Sequence, residues 1–211
     1  TMDSLKEEIL KTVVANGLEK NTALVTFYVF KKEKISPQKP LADVGFCIKA
    51  KAVNDFFASS KENYALGIYQ EHTIPLEKDN FFTLSGAFLE LKNRALSFAF
   101  ENQCADSVLL NSAKNIVQTA LGAIFLIEKN TIKTPPLSEG CEKSVFSEEI
   151  CEKIVQKTSY NIKEMPLSIY DLQKSDEVFI ISEYGLQKVE KYHKKVYGTT
   201  ATNSILKAIE F

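Results

Sequence analysis

The sequence predicts an α+β protein. Three observations lead there. Runs rich in Val, Ile, Phe and Tyr recur along the chain, other segments carry apolar residues at helical spacing, and composition shifts near residue 80. The shift places a boundary there, dividing the chain into 1–80 and 81–211. For 211 residues, surface scaling buries roughly 70% of the extended chain's area, enough for one large domain or two small ones.

The elements follow in order. Ser4-Leu5-Lys6-Glu7 reads as a capping box, and Leu5, Ile9 and Val13 continue at helical spacing until Asn16-Gly17 stops the helix. Thr22–Phe30, Val44–Ala50 and Ala65–Gln70 read as strands, with a lysine- and proline-bearing loop from Lys31 to Pro40. Polar Glu71–Asn80, with Pro75, reads as a linker. A helix is expected over Ser85–Asn102, where Phe88, Leu91, Ala95 and Phe98 share a face and Glu90 pairs with Arg94. Ser107–Asn111, Asn115–Thr119, Ala123–Glu128 and Thr131–Thr134 are strands separated by turn residues. Thr134–Cys141 is a loop, Ser147–Thr158 a helix and Asn161–Glu164 a strand. Ser168-x-x-Asp171 caps a short helix, Glu177–Ile181 is a buried strand, and Thr200–Ile209 is a helix.

Composition narrows the function classes. Lysine and arginine total 26 against 27 acidic residues, and Arg94 is the only arginine. A nucleic-acid binder would carry a basic excess and arginines to grip phosphates, so that class is not expected. Two histidines and four cysteines with no CxxC spacing argue against a metal site or a disulfide framework, and favour buried thiols in a reducing cytoplasm. No apolar run approaches a membrane helix, and Thr1–Leu10 is too acidic for a signal peptide. The phosphate cradles GxGxxG and GxxxxGK[ST], the ligand pair HExxH and the elbow GxSxG are all missing from the sequence. His72 and His193 sit among charged residues and read as solvated. The lysines of Lys188–Lys195 read as a solvated strand or turn face.

One set of segments does point to a family. Thr134-Pro-Pro-Leu-Ser-Glu-Gly-Cys141 resembles a TPPLxxGxLxGxxR loop, and Ser175-Asp-Glu-Val-Phe179 is similar to an (A)DEVF strand. Asp106-Ser-Val-Leu-Leu-Asn111 resembles DEALLL, and Ile124-Phe125 sits where NIF is expected. Together, at near-gapless spacing, these resemble the class IV aminotransferases, fold type IV of the pyridoxal-phosphate enzymes. The group includes branched-chain aminotransferases and aminodeoxychorismate lyases. The resemblance implies a remnant of a small α/β domain, whose later part Thr1–Gln70 would match, then a larger mixed β-sheet domain with flanking helices. It also implies a homodimer and a cleft that binds a small molecule.

In that family a lysine forms the Schiff base, a glutamate keeps the pyridine nitrogen protonated, and a GxxR turn with a Thr-Asn pair binds phosphate. Carried over residue by residue, the lysine position is Ser85 and the glutamate position is Gln118. The NIF asparagine is Ala123, the second glycine and the arginine of the phosphate loop are Ser144 and Ser147, and the Thr-Asn pair is Ile181-Ser182. Serine cannot form an imine with an aldehyde, and glutamine brings no charge to the pyridine. The expectation is a degenerate homologue with no bound cofactor that acts by binding a metabolite or partner. Two alternatives stand beside it. One is an active, aminodeoxychorismate lyase-like pyridoxal-phosphate lyase or aminotransferase using another lysine or Lys92, seven residues beyond Ser85 on the same helix face. The other is a protein-interaction module.

Overall fold

The computed structural model describes residues 2–31, 44–53, 64–75, 86–182 and 185–209. It divides into two compact units, Thr1–Phe56 and Phe57–Phe211. In the first, helix α1 (Met2–Ala15) precedes an antiparallel pair, β1 (Ala23–Lys31) with β2 (Val44–Ala52), in which Phe27 stacks on Phe46 at 5.3 Å. Asn16-Gly17 ends α1 as expected, with Gly17 at φ 65° and the Leu18 N–H donating to Val13 O. Ser4 is not the cap. Met2 and Asp3 are already helical, so Ser4 lies in the first turn.

The second unit holds β3 (Ala65–Ile74), α2 (Gly86–Glu101), β4 (Asp106–Asn111), β5 (Ile116–Thr119), β6 (Ala123–Glu128) and β7 (Thr131–Thr134). After a 3-10 turn at Leu137–Glu139 come α3 (Val145–Lys157), β8 (Asn161–Glu164), α4 (Ile169–Lys174) and β9 (Glu177–Ser182). The chain continues through β10 (Gly185–Val189), β11 (Lys191–Tyr192), β12 (Lys195–Val196) and α5 (Thr200–Ile209). Two five-stranded sheets result, ordered β12-β11-β3-β4-β5 and β10-β9-β6-β7-β8. One expectation changes here. Glu71–Ile74 is not linker but the end of β3, which pairs in parallel with β4.

The strands show why this unit is layered. In β6, Ile124 and Leu126 join one apolar cluster with Val108, Leu110, Val178 and Ile180, while Phe125 and Ile127 join another with Ile150, Ile154 and Ile205. Period-two alternation therefore sends one set of side chains between the sheets and the other toward α3 and α5. A third cluster, with Tyr69, Leu109, Val117 and Ala95, lies between β3-β4-β5 and α2. Strands covered on both faces read as continuous apolar runs, which is how SVLLN, AIFLIE and EVFII appear in the sequence.

One carboxyl is enclosed in this interior. Asp106 is fully buried, accepting from the Tyr64 hydroxyl at 3.1 Å and the Ser107 N–H at 2.7 Å. Burial raises its pKa from 3.8 to about 6, against the opposing pull of the Thr119 hydroxyl and these donors. An acid whose folded pKa is raised holds its proton after the unfolded chain has lost it. Folding stability is therefore expected to fall by about 3 kcal/mol as pH rises from about 4 to about 6, then level off. Urea midpoints across that range should show the decline in the wild type and a flattened profile in Asp106→Asn; parallel profiles would rule Asp106 out as its source.

Candidate functional site

Gln118 is the best-defined of the sequence-predicted positions. It lies on β5, where Leu109 pairs with Gln118 but Leu110 pairs with Ile116, leaving Val117 as the extra residue of a β-bulge. Ile116 and Gln118, two residues apart, would share a face in a regular strand. The bulge separates them. Ile116 packs between the sheets, while Gln118 is level with Leu109 on the α2 side.

There Gln118 meets a residue that sequence reasoning did not single out. The Glu142 N–H donates to Gln118 Oε1 at 2.8 Å, and Gln118 Nε2 donates to Glu142 Oε2 at 3.0 Å and to Thr119 O at 3.4 Å. Lys92, from α2, donates to the same Oε2 at 2.9 Å and lies 5.8 Å from the Phe88 ring centroid. Gln118 is 2% exposed, and the Lys92 and Glu142 side chains are 18% and 26% exposed. Two of the predicted positions, Lys92 and Gln118, thus converge on one carboxylate oxygen. The other oxygen, Oε1, is buried and has no partner among the described residues.

The loop that carries Glu142 is fastened at both ends. Gly140, at φ 94°, closes the 3-10 turn, and Glu139 Oε2 accepts from Asn111 Nδ2 at 2.6 Å and Asn115 Nδ2 at 2.9 Å. The Cys141 thiol donates to Pro136 O at 3.3 Å, and burial pushes its pKa to about 11. Cys151 is raised by burial to about 12, so neither thiol is a nucleophile near neutral pH. Downstream, Ser144 caps α3 by accepting from the Ser147 N–H at 3.3 Å. Ala123 pairs with Ile181 across β6 and β9, and Ser182 ends β9. Ser85 lies outside the described residues.

The histidines have ordinary local roles. His72 is on β3 rather than in a linker, its Nδ1 3.0 Å from the Tyr69 hydroxyl. His193 occupies the turn between β11 and β12 at φ 49°. Among the described residues no cluster of three or more His, Cys, Asp or Glu could hold a metal ion, and no helix is long and apolar enough to cross a membrane.

The family profile for amino-transferase class IV matches residues 88–191, a span from the start of α2 to β11. This segment is similar to the class IV aminotransferase family. Three relatives place it further. A protein of Methanocaldococcus jannaschii described as a branched-chain-amino-acid aminotransferase is 27% identical over 75 residues, 36% of this chain and 26% of that protein's length. The branched-chain aminotransferase of Thermoproteus uzoniensis, solved with norvaline, superposes with a TM-score of 0.83 over 98% of this chain and 69% of its own, at 16% identity. A Legionella pneumophila protein described as a 4-amino-4-deoxychorismate lyase gives 0.80 over 98% and 75%, at 14% identity. At these identities the structures share the fold, which is the fold type IV arrangement of mixed sheets and flanking helices.

Proposed function

We propose that this chain is a degenerate class IV homologue that forms no Schiff base with pyridoxal phosphate and acts by binding a metabolite or a partner. The observation that carries the reading is the state of Gln118. At the position of the family's glutamate stands a neutral amide whose oxygen takes the Glu142 N–H and whose nitrogen is spent on Glu142 and Thr119. The residues present do not fit the cofactor. A pyridine nitrogen would meet an amide already engaged at both ends and bearing no charge. The phosphate-loop arginine is Ser147, whose backbone N–H is taken up in capping α3. The Lys92 amine is engaged in an ion pair with Glu142. Loss of the lysine at Ser85 rests on sequence spacing.

The reading extends to a cytoplasmic homodimer, in keeping with the family resemblance; light scattering at micromolar concentration should give twice the chain mass. The experiment on chemistry is optical. Purified protein mixed with pyridoxal phosphate, reduced with borohydride and digested should yield no single modified lysine, and no amino acid should be deaminated. A yellow protein with stoichiometric adduct on one lysine would establish the competing reading, an active lyase or aminotransferase, and the modified peptide would say whether Lys92 serves it.

A further inference from the structure

We propose that Lys92 and Gln118 form a receptor for a small carboxylate, and that Glu142 occupies it in cis as a tethered ligand. The donor pattern supports this. An ammonium and a primary amide from two different elements converge on one carboxylate oxygen at 2.9 and 3.0 Å, the charge-assisted arrangement that recognises a carboxylate. The orientation of the amide does not depend on the glutamate side chain. Gln118 Oε1 is held by the backbone N–H of residue 142, and its Nε2 also reaches Thr119 O, so truncating the side chain at 142 leaves the donor aimed as before. Gln118 is itself 2% exposed, on a strand fixed by the bulge at Val117.

The tethered ligand fits the receptor incompletely. Both donors fall on Oε2, while Oε1 is buried with no partner among the described residues. A buried carboxylate oxygen that meets no donor from the described residues gives up part of its hydrogen bonding, so the closed arrangement is open to competition. A free carboxylate can settle with either oxygen toward the donors and is not constrained by the loop. Its chemical class is a small monocarboxylate anion, and no covalent step is involved. The proposal rests on the reading above in one respect only: Lys92 acts as a charge and not as a nucleophile.

Chemical rescue tests it. Glu142→Ala should unfold at a lower temperature than the wild type, and sodium propionate should restore at least half of the lost midpoint where sodium chloride at equal ionic strength does not. The double variant Glu142→Ala/Lys92→Met should show no propionate effect. Equal recovery in chloride, or recovery without Lys92, would overturn the receptor. Should Glu142→Ala fail to fold, Glu142→Gln supplies a second readout. Acetylation of Lys92 by an amine-reactive ester, measured by peptide mass against the exposed Lys157, should rise several-fold over the wild type and fall again with propionate. Unchanged Lys92 labelling overturns the proposal. The two readings fail separately, since a pyridoxal-phosphate adduct at Lys92 of the wild type defeats the degenerate reading, whereas absent rescue defeats this one alone.

Discussion

Gly122→Ala is expected to destabilise the second unit by about 3 kcal/mol, the upper end of what overpacking costs. A Cβ built at this position would stand 2.2 Å from Ile181 O, and 2.9 Å from both Ile181 C and Ser182 Cβ. The nearest obstacle is backbone, so no rotamer change relieves it. Backbone movement is blocked as well. Ile181 is in register with Ala123, and β9 is hydrogen-bonded on both sides, to β6 and β10. Both faces of β6 and β9 are packed, one against the opposite sheet and one against α3 and α5. Gly67→Ala is the control. There the nearest atoms, Phe98 Cε1 and Ser107 Oγ, are side-chain atoms at 3.3 Å that can give by a few tenths of an ångström, so the cost should stay below about 1 kcal/mol. Urea unfolding followed by circular dichroism separates the two, and a Gly122→Ala midpoint equal to that of Gly67→Ala would mean that the sheets yield far more easily than their packing implies.

The contrast between these glycines marks what a linear pattern carries. The apolar strands were legible because layers on both faces demand near-continuous hydrophobicity, and the short helix after Ser168 because its capping box is a local signal that the structure reproduces, with Asp171 accepting from the Ser168 N–H and Ser168 Oγ accepting from the Asp171 N–H. What escaped was set by tertiary pairing. Glu71 and His72 read as linker because they are polar and exposed, yet backbone pairing to β4 resumes at Ile74. The lysines of 188–195 read as one solvated segment, although Lys188, Lys191 and Lys195 lie on three different strands, Lys194 lies in the turn between the last two, and Lys188 reaches Asn203 on α5. At the site, Gln118 stood out as a polar residue in an apolar strand, but alternation would have placed it beside Ile116; only the bulge turns it toward α2. Glu142 carried no sequence signal. Its two side-chain partners are 24 and 50 residues away, and nothing local marks a glutamate in a polar loop as the hub of a part-buried network.

Glu177 presents the complementary case, a charged residue at the start of an apolar strand that secures a helix. Its side chain reaches the first turn of α5, where Oε1 accepts from the Ala201 N–H and Oε2 from the Thr202 N–H and the Thr202 hydroxyl, each at 2.8 Å. These amides belong to the helix end that lacks intrahelical acceptors and carries the positive end of the dipole, so a buried carboxylate is the partner they call for. Glu177→Ala would strand two N–H groups and a hydroxyl at a position only 6% exposed, and is expected to cost on the order of 3–5 kcal/mol. The loss should spread along α5, because Ile205 and Ile209 reach the cluster beneath β6 and β9 only while the helix is docked. Glu177→Gln keeps one acceptor oxygen but turns an N–H toward another N–H, and should recover only part of the loss. Hydrogen exchange tests the mechanism beyond the midpoint. Amides of α5 should exchange faster in Glu177→Ala than those of α2, which packs on the other sheet, and equal acceleration in both helices would place the damage in global stability and not in the anchoring of α5.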